Sequence, residues 1–202
     1  MKLYYAPAAC SLAPHIAAAE AGIPLELVKV EFGPSGKFAA GRNYLEINPK
    51  GAVPALEIDG GEVLTENAVL LQYLAAQAPD SGLMPKGQGL AHWRFLELLN
   101  FIATEIHKGF GPLWNPNTTP EVREATVANL GKKFDLLEAQ LGAGPWLTGE
   151  AFTIADAYAY AVLNWTGIHK IDLGKWPGLK SFLDRAAQRP GVRKALQEEG
   201  LV

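Results

Sequence analysis

The sequence predicts a two-part fold, an α/β segment followed by an all-α one. Short β-prone runs at 2–5, 27–32, 55–58 and 62–64 are confined to the first third of the chain. Beyond residue 89, apolar residues recur only at helical spacing, over 90–109, 120–141, 153–165 and 177–188. The break falls at Ala78-Pro79-Asp80-Ser81-Gly82, a run of turn formers. With 202 residues, 49% of them hydrophobic, the chain suffices for one large domain or two small ones.

Each element has its own signal. Residues 11–22 are alanine-rich, carry Pro14 in the first turn and end at Gly22, so they read as a helix. Asp59-Gly60-Gly61 between the third and fourth strands is a hairpin signal. Residues 66–77 repeat apolar side chains at helical spacing. The order is β-α-β, a connecting region, β-β, α. In the second part, Thr153 followed by Asp156 reads as a capping box with Asp in the place of Glu, nucleating a buried helix.

Composition excludes several classes. Lys+Arg 18 against Asp+Glu 21 gives a net charge of -3 with scattered basic residues, which argues against a nucleic-acid partner. No apolar run reaches the roughly 18 residues of a membrane span. The opening MKLYYAPAAC lacks the apolar centre of a secretory peptide, so a mature, cytoplasmic protein is expected. The single cysteine, Cys10, forms no internal disulfide. The four histidines form no metal-type cluster, and no metal is implied.

The chemistry-bearing residues are few. Cys10 lies just before the first helix, where free N–H groups and the helix dipole favour a thiolate; the rival reading, a small buried hydrophobe, weighs equally from position alone. Ala13 stands where a second cysteine of a Cys-x-x-Cys pair would be, so only monothiol chemistry or thiol binding remains. Pro54 leads into a strand: either a cis Val53-Pro54 bond turns the Val53 backbone toward an extended peptide, or it is an edge-strand proline, the reading that the residues alone favour. Thr65-Glu66-Asn67 opens the second helix, where amides suit a carboxylate and Glu66 an ammonium, although a plain cap with a first-turn acid is the reading that these residues alone favour. Asn100, Thr104, His107 and Lys108 share one helix face, with Glu105 beside them.

Together these residues resemble a glutathione transferase, specifically the cysteine-containing bacterial beta class, over essentially the whole chain. The likeness rests on Lys2-Leu3-Tyr4-Tyr5, Ala9-Cys10-Ser11-Leu12, Asn48-Pro49-Lys50-Gly51 with Val53-Pro54, Leu64-Thr65-Glu66, Glu105-Ile106-His107-Lys108 and Phe152-Thr153-Ile154-Ala155-Asp156. It implies a thioredoxin-like domain (β-α-β-α-β-β-α) over 1–80 that binds glutathione, a linker over 81–89, and an all-helical domain over 90–202 forming the electrophile site. It also implies a homodimer, with glutathione as co-substrate and no further cofactor. Pro54 would be cis, Val53 would pair with the cysteinyl part of glutathione, and Glu66 and Asn67 would hold its γ-glutamyl end.

Cys10 and His107 would lie at the glutathione sulfur. His107 would take the thiol proton or, with Ser11, hydrogen-bond the anion; Tyr5 and Ser11 are the rivals to Cys10 for the thiolate-stabilising role. Asn100, Thr104, Glu105, Lys108 and Trp165 would border the site, Thr104 and Glu105 from across the dimer interface. The loop Glu31-Phe32-Gly33-Pro34-Ser35-Gly36-Lys37 would supply Lys37 to the glycine carboxylate. The expected activity is conjugation of the glutathione thiol to small hydrophobic electrophiles. Thiol-disulfide exchange through Cys10 is a second route, and a non-catalytic carrier of hydrophobic ligands, built on aromatics such as Phe110, Trp114 and Tyr158, is the alternative.

Overall fold

A computed structural model of the chain describes residues 1–34, 36–87 and 89–202, so Ser35 and one linker position fall outside the described residues. Strand β1 (Lys2–Tyr5) pairs in parallel with β2 (Glu26–Gly33) and antiparallel with β5 (Ala55–Glu57), which pairs antiparallel with β6 (Val63–Thr65). Helix α1 (Leu12–Ala21) makes the crossover between the two parallel strands, and α2 (Asn67–Gln77) follows β6. The period of two along β1 divides the core: Leu3 and Tyr5 face the main apolar cluster, while Tyr4 packs with Val30, Ala39, Tyr44 and Ala55 on the other face.

Between β2 and β5 the structure has more strand than the sequence suggested. Strands β3 (Gly36–Ala39) and β4 (Arg42–Asn43) extend the sheet to the order β4-β3-β2-β1-β5-β6. Ala40 and Gly41 take positive φ at 49° and 77° and turn this hairpin, a signal that the alternating pattern alone did not display. Where the resemblance implies a second helix, the described chain has one 3-10 turn, Tyr44–Glu46, capped by Asn43 Oδ1. The edge-strand reading of Pro54 is corrected as well: the Val53-Pro54 bond is cis, and Pro54 leads into β5, an interior strand between β1 and β6.

The helical part begins with α3 (Leu90–Phe101) and continues through α4 (Pro120–Leu141), α5 (Ile154–Leu163), α6 (Trp165–Ile168), α7 (Pro177–Ala186) and α8 (Pro190–Glu198). The helix expected over 90–109 stops short as an α-helix. Ile102–His107 widens into a π-helical segment and Lys108–Trp114 tightens to 3-10, where Gly109, Gly111 and Pro112 cannot sustain the α-ladder. Helix α5 is buried along its whole length, as expected of a helix apolar all round. Its start is the capping box: Asp156 Oδ2 accepts from the Thr153 N–H and hydroxyl, both at 2.8 Å, while Oδ1 accepts from the Leu147 N–H at 2.8 Å.

Helix α8 lacked a sequence reading, yet it joins the two parts. At its N-terminus Glu20 of α1 accepts from the Gly191 N–H at 3.1 Å and from the Arg189 guanidinium. A Cβ on Gly191 would lie 2.6 Å from the Glu20 side chain, so the close approach needs glycine. At the C-terminal end, His15 of α1 is held between Glu198 Oε2 at 2.8 Å and Glu199 Oε1 at 3.0 Å. Glu199 Oε2 then accepts from the Ala8 N–H at 3.1 Å, and Trp165 Nε1–H donates to the Ala8 carbonyl at 2.9 Å. Both backbone groups of Ala8, itself at φ 59°, are therefore fixed by the helical part.

Two stability predictions follow from these contacts. Asp156→Ala strands the buried Leu147 and Thr153 donors and is expected to lower unfolding free energy by about 2–4 kcal/mol; urea denaturation measures it, and a loss under about 0.5 kcal/mol would contradict the capping role. For His15, burial lowers the pKa, but Glu199 and Glu198 outweigh it and the net shift is upward. A raised folded-state value means that this stabilisation is complete below the ordinary value of 6.5 and fades as pH rises through the folded value. The thermal midpoint of the native protein relative to that of His15→Gln should thus shrink on going from acidic to alkaline buffer, whereas a constant difference would show the contact to be non-ionic.

Candidate active site

A cavity of about 630 Å3 opens between the sheet and the helical part. Cys10 enters it from the head of α1, Asn48, Lys50, Val53 and Pro54 from the turn before β5, and Thr65, Glu66 and Asn67 from the β6–α2 junction. Asn100 comes from α3, Thr104 and His107 from its π-helical continuation, Lys108 from the first position of the 3-10 segment, and Tyr158 from α5. The widened turn keeps these α3 residues on one wall, where π segments often carry function.

The turn before β5 is set by its own side chains. Asn48 donates from Nδ2 to the Ala52 carbonyl at 2.7 Å and accepts the Lys50 N–H on Oδ1 at 3.1 Å, while the Tyr44 hydroxyl donates to the same Ala52 carbonyl at 2.9 Å. These bonds present Val53 to the cavity. Glu66 occupies the cap position of α2 at φ 72°, a left-handed conformation that a non-glycine residue adopts only when its surroundings enforce it. Its carboxylate therefore turns away from the helix and meets Lys50 Nζ at 2.6 Å, and Lys50 also donates to Thr65 Oγ1 at 2.9 Å. The Lys50 hydrogen bond holds Glu66 below the usual carboxylate range. The Val69 N–H already bonds the Glu66 carbonyl at 2.9 Å, whereas the N–H groups of Asn67 and Ala68 have no partner among the described residues, which suits a carboxylate ligand.

Of the two readings that position left open for Cys10, its surroundings favour the buried thiol. It is 8% exposed, its Sγ–H donates to the Val53 carbonyl at 3.3 Å, and burial pushes its thiol up to about 12 against weaker opposing effects of nearby backbone amides and Lys108. Asn67 Nδ2 fixes the loop behind it by donating to the Cys10 carbonyl at 3.0 Å, while Asn67 Oδ1 is buried without a partner among the described residues. His107 is pushed down to about 4, by burial first and Lys108 second, and is a neutral imidazole at neutral pH. Its Nδ1 lies 2.7 Å from the Tyr158 hydroxyl, and its ring packs edge-on against Trp165 at a centroid separation of 5.1 Å.

Several expected site residues stand off the cavity wall. Ser11 is fully buried, accepting the Ala6 N–H at 3.2 Å and donating to the Ala6 carbonyl at 3.1 Å, so its hydroxyl secures the loop before Cys10. Tyr5 is buried in the main core, its ring tilted against His15. Lys37 donates to the Gly51 carbonyl at 2.6 Å, which keeps its ammonium on the turn, and Lys50 is the lysine of that turn facing the cavity. Glu105 pairs with Lys133 of its own chain at 2.6 Å. Trp165 acts behind the wall, on Ala8 and His107. Lys50 and Tyr158 line the cavity although neither was expected at the glutathione site, Tyr158 having been named only among the aromatics of the carrier alternative. Lys50 lies within Asn48-Pro49-Lys50-Gly51, while the tyrosine of an alanine-rich buried helix carries no polar signal of its own.

Comparison with known proteins identifies the family. The glutathione S-transferase N-terminal domain matches residues 9–77 and the glutathione S-transferase C-terminal domain residues 101–190. The chain is 42% identical over 201 residues to glutathione S-transferase GstA of Escherichia coli O157:H7, covering all of both chains. A sphingomonad glutathione S-transferase solved in complex with glutathione superposes with a TM-score of 0.93 at 42% identity, covering 100% of each chain. The bacterial beta-class glutathione S-transferase of Sphingomonas chungbukensis gives a TM-score of 0.93 at 40% identity, again over 100% of each chain. On this full-length likeness, the chain belongs to the glutathione S-transferase family, in its bacterial beta class.

Proposed function

We propose that the protein is an enzyme that conjugates the thiol of glutathione to small hydrophobic electrophiles in the cavity headed by Cys10. The observation that supports it is the complementarity of that wall to a zwitterionic tripeptide. Glu66 offers a carboxylate to the γ-glutamyl ammonium, the α2 N–H groups with Asn67 suit its carboxylate, and the Val53 backbone suits the cysteinyl peptide group. Lys50 and Lys108 supply cations for the remaining carboxylate, and Asn100 and Thr104 border it. In this arrangement the sulfur lies by Cys10 and His107. A ligand N–H at the Val53 carbonyl competes with the Cys10 thiol for that oxygen and turns Sγ toward the ligand sulfur.

The reaction needs little covalent work from the chain. With a haloarene, the glutathione thiol gives its proton to solvent, the sulfur pair forms the C–S bond, and halide leaves with the carbon–halogen pair. The enzyme contributes orientation and stabilisation of the anion. The domain bounds 1–80 and 90–202, cytoplasmic residence and a homodimer belong to the same proposal. Exposed Val69 on α2, Leu90 and Trp93 on α3 and Leu136 on α4 supply apolar surface that a second copy would cover. Among the described residues no helix is long and apolar enough to cross a membrane.

Calorimetry with reduced glutathione and turnover of an aryl halide test the reading. Saturable heat and turnover are expected, with His107→Ala lowering kcat by about 100-fold or more; absence of both heat and turnover in folded protein would overturn it, and tight binding of apolar ligands without turnover would favour the carrier. Light scattering in solution should return the mass of a dimer, and a monomer at micromolar concentration would remove the second copy from the proposal.

A further inference from the structure

Tyr158 is 2% exposed and packs in the core of α5, which leaves one polar atom to account for, the hydroxyl 2.7 Å from His107 Nδ1. The two rings meet edge-on at 77° with centroids 5.7 Å apart, and Trp165 holds the imidazole from another side. Burial raises the phenol's pKa, so it keeps its proton at neutral pH, and a buried O–H must give that proton to an acceptor. The neighbouring Asn67 oxygen does not receive that proton, since it has no hydrogen-bond partner among the described residues. Among the described residues Nδ1 of His107 is the acceptor in reach. A neutral imidazole that accepts at Nδ1 carries its own proton at Nε2. Nε2 has no partner among the described residues, and the ring lines the cavity.

We propose that Tyr158, by donating to Nδ1, holds His107 as the Nε2–H tautomer, so that His107 meets the glutathione sulfur as a hydrogen-bond donor and not as the base that takes its proton. Tyr158 is then a positioning residue acting through His107. The inference rests on the reading that glutathione sulfur occupies this cavity, but the tautomer is a property of the free protein. The titratable and charged groups around the imidazole are Lys108 on its own segment, Tyr158 on α5, Cys10 at the head of α1, and Lys50 and Glu66 along the same wall.

Nitrogen NMR of the whole protein labelled at histidine reads the tautomer directly. At neutral pH the expected signals for His107 are an unprotonated Nδ1 and a protonated Nε2, shifting toward a tautomer mixture in Tyr158→Phe. With glutathione bound, ultraviolet titration of the thiolate should show its midpoint about one pH unit higher in Tyr158→Phe, a tenfold loss of anion stabilisation. At a fixed pH below that midpoint kcat should fall about tenfold with KM little changed. A protonated Nδ1 in the unaltered protein, or an unmoved thiolate midpoint in folded Tyr158→Phe, would overturn the proposal. Failure to bind glutathione, seen by calorimetry, would overturn the function instead and would leave the nitrogen signals readable.

Discussion

The site depends on the double hold on Ala8. Its N–H is bound by Glu199, from the end of α8, and its carbonyl by Trp165, from the start of α6. The loop that delivers Cys10 belongs to the α/β part, yet the helical part sets where that loop lies. Trp165 reaches further, since the indole that holds Ala8 also flanks the His107 ring. One side chain thereby relates the thiol-bearing loop to the imidazole wall. His15 completes the hold by fixing the second oxygen of Glu199, so α1 and α8 are joined at both ends, by His15 at one and Glu20 at the other.

Burial decides the state of Cys10. A helix end stabilises a negative charge by about 0.3–2 kcal/mol, little more than one pH unit at best. Removing a thiolate from water moves its pKa by up to about 3–5 units in the opposite direction. The position before α1 announces the smaller effect, whereas the packing of Cys10 against the main core supplies the larger one, and packing is not written in local sequence. His107 follows the same rule in its own sense, since burial keeps it uncharged.

Much of the architecture was legible in sequence because its signals are local. A β-prone run marked β1, alanine richness between Pro14 and Gly22 marked α1, periodicity marked α2, Asp59-Gly60-Gly61 marked the β5–β6 hairpin, and Thr153 with Asp156 marked the start of α5. What escaped depends on distant partners. Helix α8 is short, nine residues, and its N-terminus is satisfied by Glu20 from the other end of the chain. The β3–β4 hairpin turns on Ala40 at positive φ, which an alanine does not advertise. In the site, the ordered motifs brought Cys10, Val53, Glu66, Asn67 and His107 to one cavity, but Ser11 and Lys37 were drawn off by the backbone carbonyls of Ala6 and Gly51. Such competition between a ligand and nearby backbone acceptors has no periodic trace.

The ion pair between Lys50 and Glu66 bears on how an amino group would enter. Both side chains are well exposed, so the carboxylate is neither a naked charge nor a desolvated one. An incoming ammonium exchanges one cation for another, in contact with water, and gains little enthalpy from the swap. Discrimination among thiol compounds would then reside in peptide-backbone matching at Val53 and in the fit of the chain beyond it, while the displaced lysine becomes available to whatever negative group arrives with the same molecule.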